Sequence, residues 1–161
     1  MSDEAILVSE RVGAVALLRL NIPARMNPLT MPLQQALRAA LAALREDHSV
    51  RALLLTGTGK AFCVGADLGS MAPPDKGSLG QQTADAMESL SNRLIEDLRT
   101  LPFPVVSAVN GACAGAGVGV ALAADVVLAA RSAYFSLPFM PRLGIVPDLG
   151  TTWVLERGVG R

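Results

Sequence analysis

The sequence has few of the residues that bind metals, cross-link chains or contact nucleic acids. Only 4% of its 161 residues are aromatic and 17% are charged, against about 25% charged residues in an average protein. The two cysteines, Cys63 and Cys113, show neither metal-ligand spacing nor a disulfide framework, which predicts a reduced cytoplasmic protein without a metal site. Basic and acidic residues number fourteen each. Because no basic run occurs, we expect no nucleic-acid partner.

One long stretch with little charge covers residues 105–130, where Asp125 is the sole charged side chain. A membrane-spanning helix needs about 20 apolar residues, but this stretch contains Ser107, Asn110 and several glycines. It consists mostly of alanine and valine, so a strand, a glycine-rich loop and a buried helix explain it better. The N-terminus opens with acidic residues and lacks the positive region of a signal peptide. We therefore expect no membrane partner.

Small and apolar residues dominate the chain instead. Hydrophobic residues make up 51% of the sequence, and 15 residues are glycine. This composition excludes a disordered chain and indicates a core built on close backbone contacts rather than on large side chains. A chain of this length has room for one core, so we expect a single domain over residues 1–161.

Strands and helices are predicted to alternate along the chain, which indicates the α/β class. Two β-rich runs on either side of Gly13 predict a hairpin. Thr30 is suited to cap a helix that carries an apolar stripe and has Pro32 in its first turn. The predicted strands cover residues 5–12, 15–21, 52–56, 105–109, 126–129 and 133–137. The predicted helices follow Thr30, cover residues 81–100 and 115–124, and begin again near Thr151; residues 57–78 and 138–150 are predicted to be loops.

Three segments carry the residues from which we expect chemistry: 60–68 (KAFCVGADL), 110–119 (NGACAGAGVG) and 143–150 (LGIVPDLG). The first two each follow a predicted buried strand and place glycine and alanine where backbone N–H groups can face a cavity. Two convergent N–H groups stabilise a developing thioester enolate or tetrahedral oxyanion. Small residues are needed because a larger side chain would keep a ligand carbonyl away from the backbone. Spacing alone leaves open that both are ordinary tight turns.

The segments NIPARMNPL, KAFCVGADL and AVNGACAGAGVGVALAAD, in this order, resemble the crotonase superfamily, also called the enoyl-CoA hydratase/isomerase family. The resemblance implies a spiral of repeated ββα units, here truncated before the C-terminal helical region of the family fold. It also implies an acyl-CoA thioester as substrate, in fatty acid metabolism. No separate cofactor is implied, since coenzyme A is part of the substrate, and the expected assembly is a trimer or a dimer of trimers.

The resemblance also assigns the site residues. The backbone N–H groups of Ala66 and Ala116 would form the oxyanion hole for the thioester carbonyl. Two aspartates, Asp67 and Asp125, are expected to hold loops through hydrogen bonds. Arg25 is a reasonable partner for a CoA phosphate. The residues implied to bind CoA or the acyl group are Ala24, Arg25, Met26, Leu29, Cys63, Gly65, Ala66, Asp67, Leu68, Gly115, Ala116 and Phe139.

Two glutamates that hydratases of the family use are absent. Their positions, three residues after the oxyanion-hole alanine and directly after the proline of FSLPF, hold Gly119 and Phe139. One acid remains nearby, Asp148, between apolar neighbours that would raise its pKa into a range useful for proton transfer. A single carboxylate there resembles the members that isomerise double bonds or act on ring-modified phenylacetyl-CoA. The alternative structural role for Asp148 is to cap the helix near Thr151.

The leading functional prediction is therefore an isomerase of the enoyl-CoA hydratase/isomerase family in which Asp148 shuttles a proton while the oxyanion hole holds the enolate. Two alternatives within the enzyme class stay open, a hydratase-type lyase and an aroyl-CoA hydrolase or dehalogenase with Asp148 as nucleophile. An alternative of another class, favoured by the missing glutamates, is a non-catalytic subunit that binds CoA or serves in assembly.

Overall fold

The strands of the protein form two sheets, and from the third strand onward successive strands alternate between them. The computed structural model describes residues 5–67, 69 and 78–160. The larger sheet has the order β1-β2-β3-β5-β7, and the smaller sheet has the order β4-β6-β8. The strands are β1 (Leu7–Val12), β2 (Val15–Leu20), β3 (Ala52–Gly57), β4 (Ala61–Cys63), β5 (Val105–Val109), β6 (Ala112–Ala114), β7 (Val126–Ala129) and β8 (Tyr134–Ser136).

A helix or a pair of helices follows each strand pair. They are α1 (Met31–Glu46), α2 (Leu79–Ala86), α3 (Asn92–Arg99), α4 (Ala116–Leu122) and α5 (Thr151–Val159). The chain passes from α2 to α3 through a π-helical turn, Met87–Ser91, and a second π-helical turn covers Phe139–Leu143. A short 3-10 turn, Pro23–Arg25, precedes α1.

Three consecutive units each contribute one strand to both sheets and then a helix. β3 and β4 form the first pair, β5 and β6 the second, and β7 and β8 the third; within each sheet these strands run parallel. The hairpin β1–β2 adds an antiparallel edge, with Val12 opposite Val15. This is the predicted α/β spiral of repeated ββα units, and it brings the ends of β4, β6 and β8 to one side of the molecule.

Local sequence signals account for the longer elements. Thr30 caps α1, because its Oγ1 accepts a hydrogen bond from Leu33 N at 3.2 Å. Leu33, Leu37 and Leu41 recur on one face of α1 and are buried, as the predicted apolar stripe requires. Asp125 Oδ2 accepts a hydrogen bond from Val105 N at 2.8 Å, so this aspartate holds the start of β5 as expected.

Three of the predicted loops and turns contain structure that the sequence patterns did not indicate. β4 lies inside the predicted loop 57–78, and β6 lies inside the predicted glycine-rich turn; the Phe139–Leu143 π-helical turn lies inside the predicted loop 138–150. Strands of three residues are too short to show a periodic pattern. They are stable here because they pair with each other in the interior. In the part of the chain that the structure describes, no helix is long and apolar enough to cross a membrane.

Candidate functional site

The turns that follow β4 and β6 lie in direct contact. Gly65 has a left-handed backbone with φ +86°, and a Cβ added to it would lie 2.8 Å from Ala114 O and 2.9 Å from Ala116 N. Real Cβ atoms do not come so close to backbone atoms, so only glycine lets the two turns meet. The tertiary structure thus brings together the two segments that the sequence places about fifty residues apart, at 65–66 and 115–116.

The amides of Ala66 and Ala116 are the groups that this contact leaves available. Leu29 N donates to Gly65 O at 2.7 Å, and Leu29 pairs with Ala66 in an isolated parallel bridge. Within the described part of the chain, neither Ala66 N nor Ala116 N donates a hydrogen bond to the protein. Ala116 is the first residue of α4, where N–H groups have no acceptor inside the helix. Two unused donors therefore flank Gly65.

Asn27 fastens the loop before α1 to the start of β4. Its side chain is buried, and its Oδ1 accepts a hydrogen bond from Ile22 N at 2.8 Å. Its Nδ2 donates to three carbonyl oxygens, those of Thr58 at 2.9 Å, Ala61 at 2.8 Å and Phe62 at 3.2 Å. Its backbone is left-handed, with φ 55°, a conformation that asparagine tolerates better than most residues.

An ion pair makes a second link between the same loop and the turn after β4. Arg25 Nη2 lies 2.6 Å from Asp67 Oδ1, and the exposed fractions of the two side chains are 55% and 9%. One guanidinium nitrogen is thus engaged by the protein, and the rest of this exposed group can still meet a phosphate. Asp67 holds a loop, as expected, directly after Ala66.

The other predicted binding residues divide by exposure. Ala24 and Met26 are exposed beside Arg25, whereas the side chains of Leu29 and Cys63 are buried in the core. Leu29 therefore contributes to the site through its backbone, which pairs with the turn after β4. Leu68 lies outside the described residues.

Position 119 has no room for a side chain. A Cβ added to Gly119 would lie 2.7 Å from both Leu149 Cβ and Leu149 O, and 3.1 Å from Thr151 Oγ1. Phe139 is buried, and its ring lies near Gly115, since a Cβ added to Gly115 would lie 4.0 Å from Phe139 Cζ. Neither of the two positions at which a two-glutamate site would carry its acids can serve here, because position 119 has no space for a side chain and the apolar ring of Phe139 occupies the other.

Asp148 is the acid that lies next to this contact. Its Oδ1 is buried and has no hydrogen-bond partner among the described residues. Burial raises the pKa of Asp148 above its ordinary value of 3.8, an effect that the hydrogen bond from its own backbone N–H partly offsets. The alternative prediction of a helix cap is wrong, because α5 begins after Gly150 without a side-chain cap. Only the backbone oxygen of Asp148 bonds to Thr151 N, at 3.0 Å.

The two cysteines face each other beneath the turns. Cys63 of β4 is the register partner of Cys113 of β6, and both thiols are free and buried. Burial raises the pKa of Cys63 to about 11. Burial and the neighbouring Cys63 raise the pKa of Cys113 to about 12. Both groups are therefore protonated near neutral pH and are poor nucleophiles.

A cleft of about 220 Å³ lies at the opposite end of the larger sheet, before β3 and β5. Its charged groups already have roles at helix ends: Arg45 donates to Thr100 O at 2.7 Å, and Asp47 pairs with Arg11 at 3.1 Å. The single histidine, His48, lies here, at the charged end of α1 and away from both cysteines. Among the described residues no cluster of three His, Cys, Asp or Glu side chains could hold a metal.

Comparison with known proteins decides the family. The sequence profile of the family described as enoyl-CoA hydratase/isomerase matches residues 10–161. The chain belongs to the enoyl-CoA hydratase/isomerase family. This confirms the predicted crotonase superfamily.

Relatives in this family act on several CoA esters, as their names state. The chain is 42% identical over 155 residues to 1,2-epoxyphenylacetyl-CoA isomerase of Escherichia coli, covering 96% of the chain and 58% of that protein. It is 39% identical over 158 residues to mevalonyl-coenzyme A hydratase of Beauveria bassiana, covering 91% and 53%. The crystal structure of enoyl-CoA hydratase from Bacillus anthracis matches with a TM-score of 0.89 at 32% identity, covering 98% of the chain and 59% of that structure.

These matches confirm the crotonase fold, and the chain spans somewhat more than half the length of the relatives it matches. Isomerases and hydratases both occur among them, so family membership supports acyl-CoA chemistry without choosing the reaction.

Three residues of the site were not predicted from the sequence. The sequence patterns place Asn27 in a loop and give it no role of its own, although its position before Pro28 is typical of a turn. Leu149 has a left-handed backbone, with φ 51°, which no pattern indicates for a leucine. Thr151 is fully buried, and its Oγ1 has no hydrogen-bond partner among the described residues. Only the fold shows that Leu149 and Thr151 lie against Gly119.

Proposed function

We propose that the protein isomerises the double bond of an enoyl-CoA, or rearranges a ring-modified phenylacetyl-CoA, through a thioester enolate. The observation that carries this proposal is the arrangement at α4. Two unused backbone donors lie at its start, and one partly buried acid lies beside its first turn, where Leu149 fills the space next to Gly119. One pair of donors and one proton carrier are sufficient for a proton shift.

The enolate would be held by the backbone N–H groups of Ala66 and Ala116. When a proton leaves the carbon next to the thioester, negative charge moves to the carbonyl oxygen. Donors already aimed at that oxygen stabilise the charge without reorganisation, and the loss of one such donor typically costs about 2.7–4 kcal/mol of barrier. The contact at Gly65 supports this role because it keeps the two amide-bearing turns together.

Asp148 would carry the proton. A base that removes a proton from one carbon and returns it to another must be ionised first and protonated in between, which favours a pKa nearer neutrality than that of a free aspartate. Burial raises the pKa of Asp148 in this direction. Its Oδ1 has no hydrogen-bond partner among the described residues, so no bond to the protein has to break before this oxygen takes up a proton.

The same geometry disfavours hydration. Addition of water needs a group that activates the water and a second group that delivers a proton. Gly119 and Phe139 supply neither, and a glutamate at position 119 would collide with the backbone of Leu149. We therefore expect hydration of crotonyl-CoA to be very slow or absent.

The test uses a 3-enoyl-CoA in heavy water. We expect the double bond to move toward C2, with hydrogen exchange at the position that receives the proton. Asp148→Asn keeps the size of the side chain and removes the base, so the rate should fall by a factor of roughly 10²–10⁴ while CoA thioesters still bind. Asp85→Asn, which changes an exposed aspartate on α2, is the matched control and should isomerise at the wild-type rate.

Other outcomes select the alternatives. Rapid hydration by the wild type would favour the hydratase, and release of free CoA would favour a hydrolase with Asp148 as nucleophile. Turnover of Asp148→Asn at the wild-type rate would contradict the proton-shuttle role. A wild type that binds acetoacetyl-CoA in calorimetry but converts no enoyl-CoA would favour a CoA-binding subunit. Absence of heat with both acetoacetyl-CoA and free CoA would contradict the acyl-CoA assignment itself.

The proposed surroundings of this activity are a trimer or dimer of trimers in the cytoplasm, without a separate cofactor. Native mass measurement of the purified protein tests the assembly, and a dominant monomer would contradict it.

A further inference from the structure

Leu149 has an unusual backbone for its side chain. Its φ is +51°, in the left-handed region, and Gly150 follows with φ +71°. A bulky, non-glycine residue occupies this region only when its surroundings hold it there, and such residues cluster at functional sites.

Contacts with α4 supply this constraint. Leu149 is 3% exposed and belongs to the hydrophobic core. Its Cβ and its carbonyl oxygen would each lie 2.7 Å from a Cβ on Gly119. The backbone of Leu149 therefore lies directly against the backbone of α4 at Gly119, where no side chain intervenes.

The contact lies close to the oxyanion-hole amide. Gly119 follows Ala116 by three residues, which corresponds to about 4.5 Å along a helix. On the other side, the turn is closed by the hydrogen bond from Thr151 N to Asp148 O at 3.0 Å. Asp148 is subject to both constraints, because Leu149 follows it in the chain and its own carbonyl oxygen accepts the hydrogen bond. Its Oδ1 is buried without a partner among the described residues.

We propose that Leu149 is a positioning residue: pressed against Gly119, its left-handed backbone holds the neighbouring Asp148 carboxylate in its buried place. This inference rests on the proposed function in so far as Asp148 is the proton carrier. It also gives a reason for the glycine at position 119, because any side chain there would displace Leu149, which positions Asp148.

The test follows the titration of the Asp148 carboxyl by NMR on protein labelled with ¹³C-aspartate, with Asp148→Asn to assign the signal. In the wild type, burial keeps the pKa of Asp148 above 3.8. Gly119→Ala must push Leu149 away, so Asp148 becomes more exposed and its titration moves to lower pH. Gly158→Ala is the matched control, because a Cβ there meets nothing within 4 Å; it should leave the Asp148 titration unchanged.

A second substitution guards against misfolding of Gly119→Ala. Leu149→Gly allows the left-handed backbone but frees it from the core, so it should shift the Asp148 titration in the same direction. In the double variant, Gly119→Ala should add less to the shift than it does alone, because the Cβ that it meets at residue 149 is gone. An Asp148 titration that stays at the wild-type position in folded Gly119→Ala, or in Leu149→Gly when the first variant does not fold, would overturn the proposal.

Kinetics separate this proposal from the proposed function. If both hold, Gly119→Ala lowers kcat at least tenfold, shifts the acidic limb of the pH–rate profile with the NMR titration and leaves KM within about twofold. If Asp148→Asn isomerises normally, the proton-shuttle role fails. The NMR titrations still decide whether Leu149 positions the acid.

Discussion

The amide-bearing turns and the acid-bearing segment lie on either side of α4, and the protein holds them in different ways. The turns at Gly65 and Gly115 contain buried small residues, and neighbouring loops are tied to them by Asn27 and by the Arg25–Asp67 ion pair. Residues 138–150 instead contain a π-helical turn, a strained leucine and an acid with an unpartnered buried oxygen.

The difference corresponds to what each region would do. Backbone donors for an oxyanion need fixed positions and no change of state, so close packing and satisfied hydrogen bonds suit them. A proton carrier needs a shifted pKa, which requires a carboxylate that is partly deprived of water and of partners. Such a carboxylate lowers the free energy of unfolding, and rigid packing around it must offset this loss. Four substitutions test this comparison.

The largest effect is expected from Gly65→Ala, which separates the turns. The added methyl group would be forced into a left-handed backbone and would overlap Ala114 O and Ala116 N. We expect a loss of about 2–5 kcal/mol in the free energy of unfolding, measured by urea denaturation. Gly158→Ala, in a helix with open space around it, should stabilise the protein by up to about 1 kcal/mol. Equal stability of the two variants would show that the turns are not held by their contact.

Asn27→Ala should have the next largest effect. It removes four hydrogen bonds and leaves Ile22 N and the carbonyl oxygens that meet near β4 with fewer partners. A buried polar group without a partner costs about 1–3 kcal/mol, and we expect a loss in this range by denaturation. Asn92→Ala changes an exposed asparagine on α3 and should alter stability little. A similar melting temperature for both variants would contradict the role of Asn27.

Asp148→Asn should stabilise the protein instead of destabilising it, and the size of this effect should depend on pH. Burial raises the pKa of Asp148 in the folded state, so its protonated form stabilises the fold fully below the unfolded pKa. That contribution is lost as pH rises through the folded pKa. Above that point the neutral asparagine should make the variant melt at a higher temperature than the wild type, and the difference should shrink toward acid pH. A difference that is constant with pH would mean that the acid is not buried at a cost.

Arg25→Gln should have the smallest effect on stability. Arg25 is 55% exposed, so water can replace its guanidinium beside the 9% exposed Asp67, and we expect a loss of about 1 kcal/mol. If Arg25 also meets a CoA phosphate, affinity for free CoA in calorimetry should fall several-fold while the melting temperature changes little. Arg93→Gln removes an ion pair with Glu96, 2.8 Å long, in which the arginine is as exposed as Arg25, and should leave CoA affinity unchanged. Equal affinities for the two variants would assign Arg25 to the loop alone.

Much of the fold could be predicted because its longer elements carry local signals. The hairpin around Gly13, the helix capped by Thr30 and the strand at Val105 all appear where hydropathy and capping place them. The three-residue strands β4 and β6 could not be predicted, since nothing within three residues distinguishes a strand from a turn.

The candidate site divides in the same way. The residue types at Ala66, Ala116 and Asp148, and the absence of acids at Gly119 and Phe139, are properties of the sequence and of its resemblance to the family. They define which groups are available for chemistry.

The tertiary structure alone decided how those groups meet. Gly65 reaches Ala116 only because β4 and β6 pair across a long separation in sequence, and Leu149 reaches Gly119 only because α5 returns to α4. Contacts of this kind depend on distances between segments, and a linear pattern contains no such distances. By itself, therefore, the sequence determined the longer elements and the chemical groups. The fold determined that the backbone of α4 at Gly119 contacts Leu149 and so holds the segment that carries Asp148.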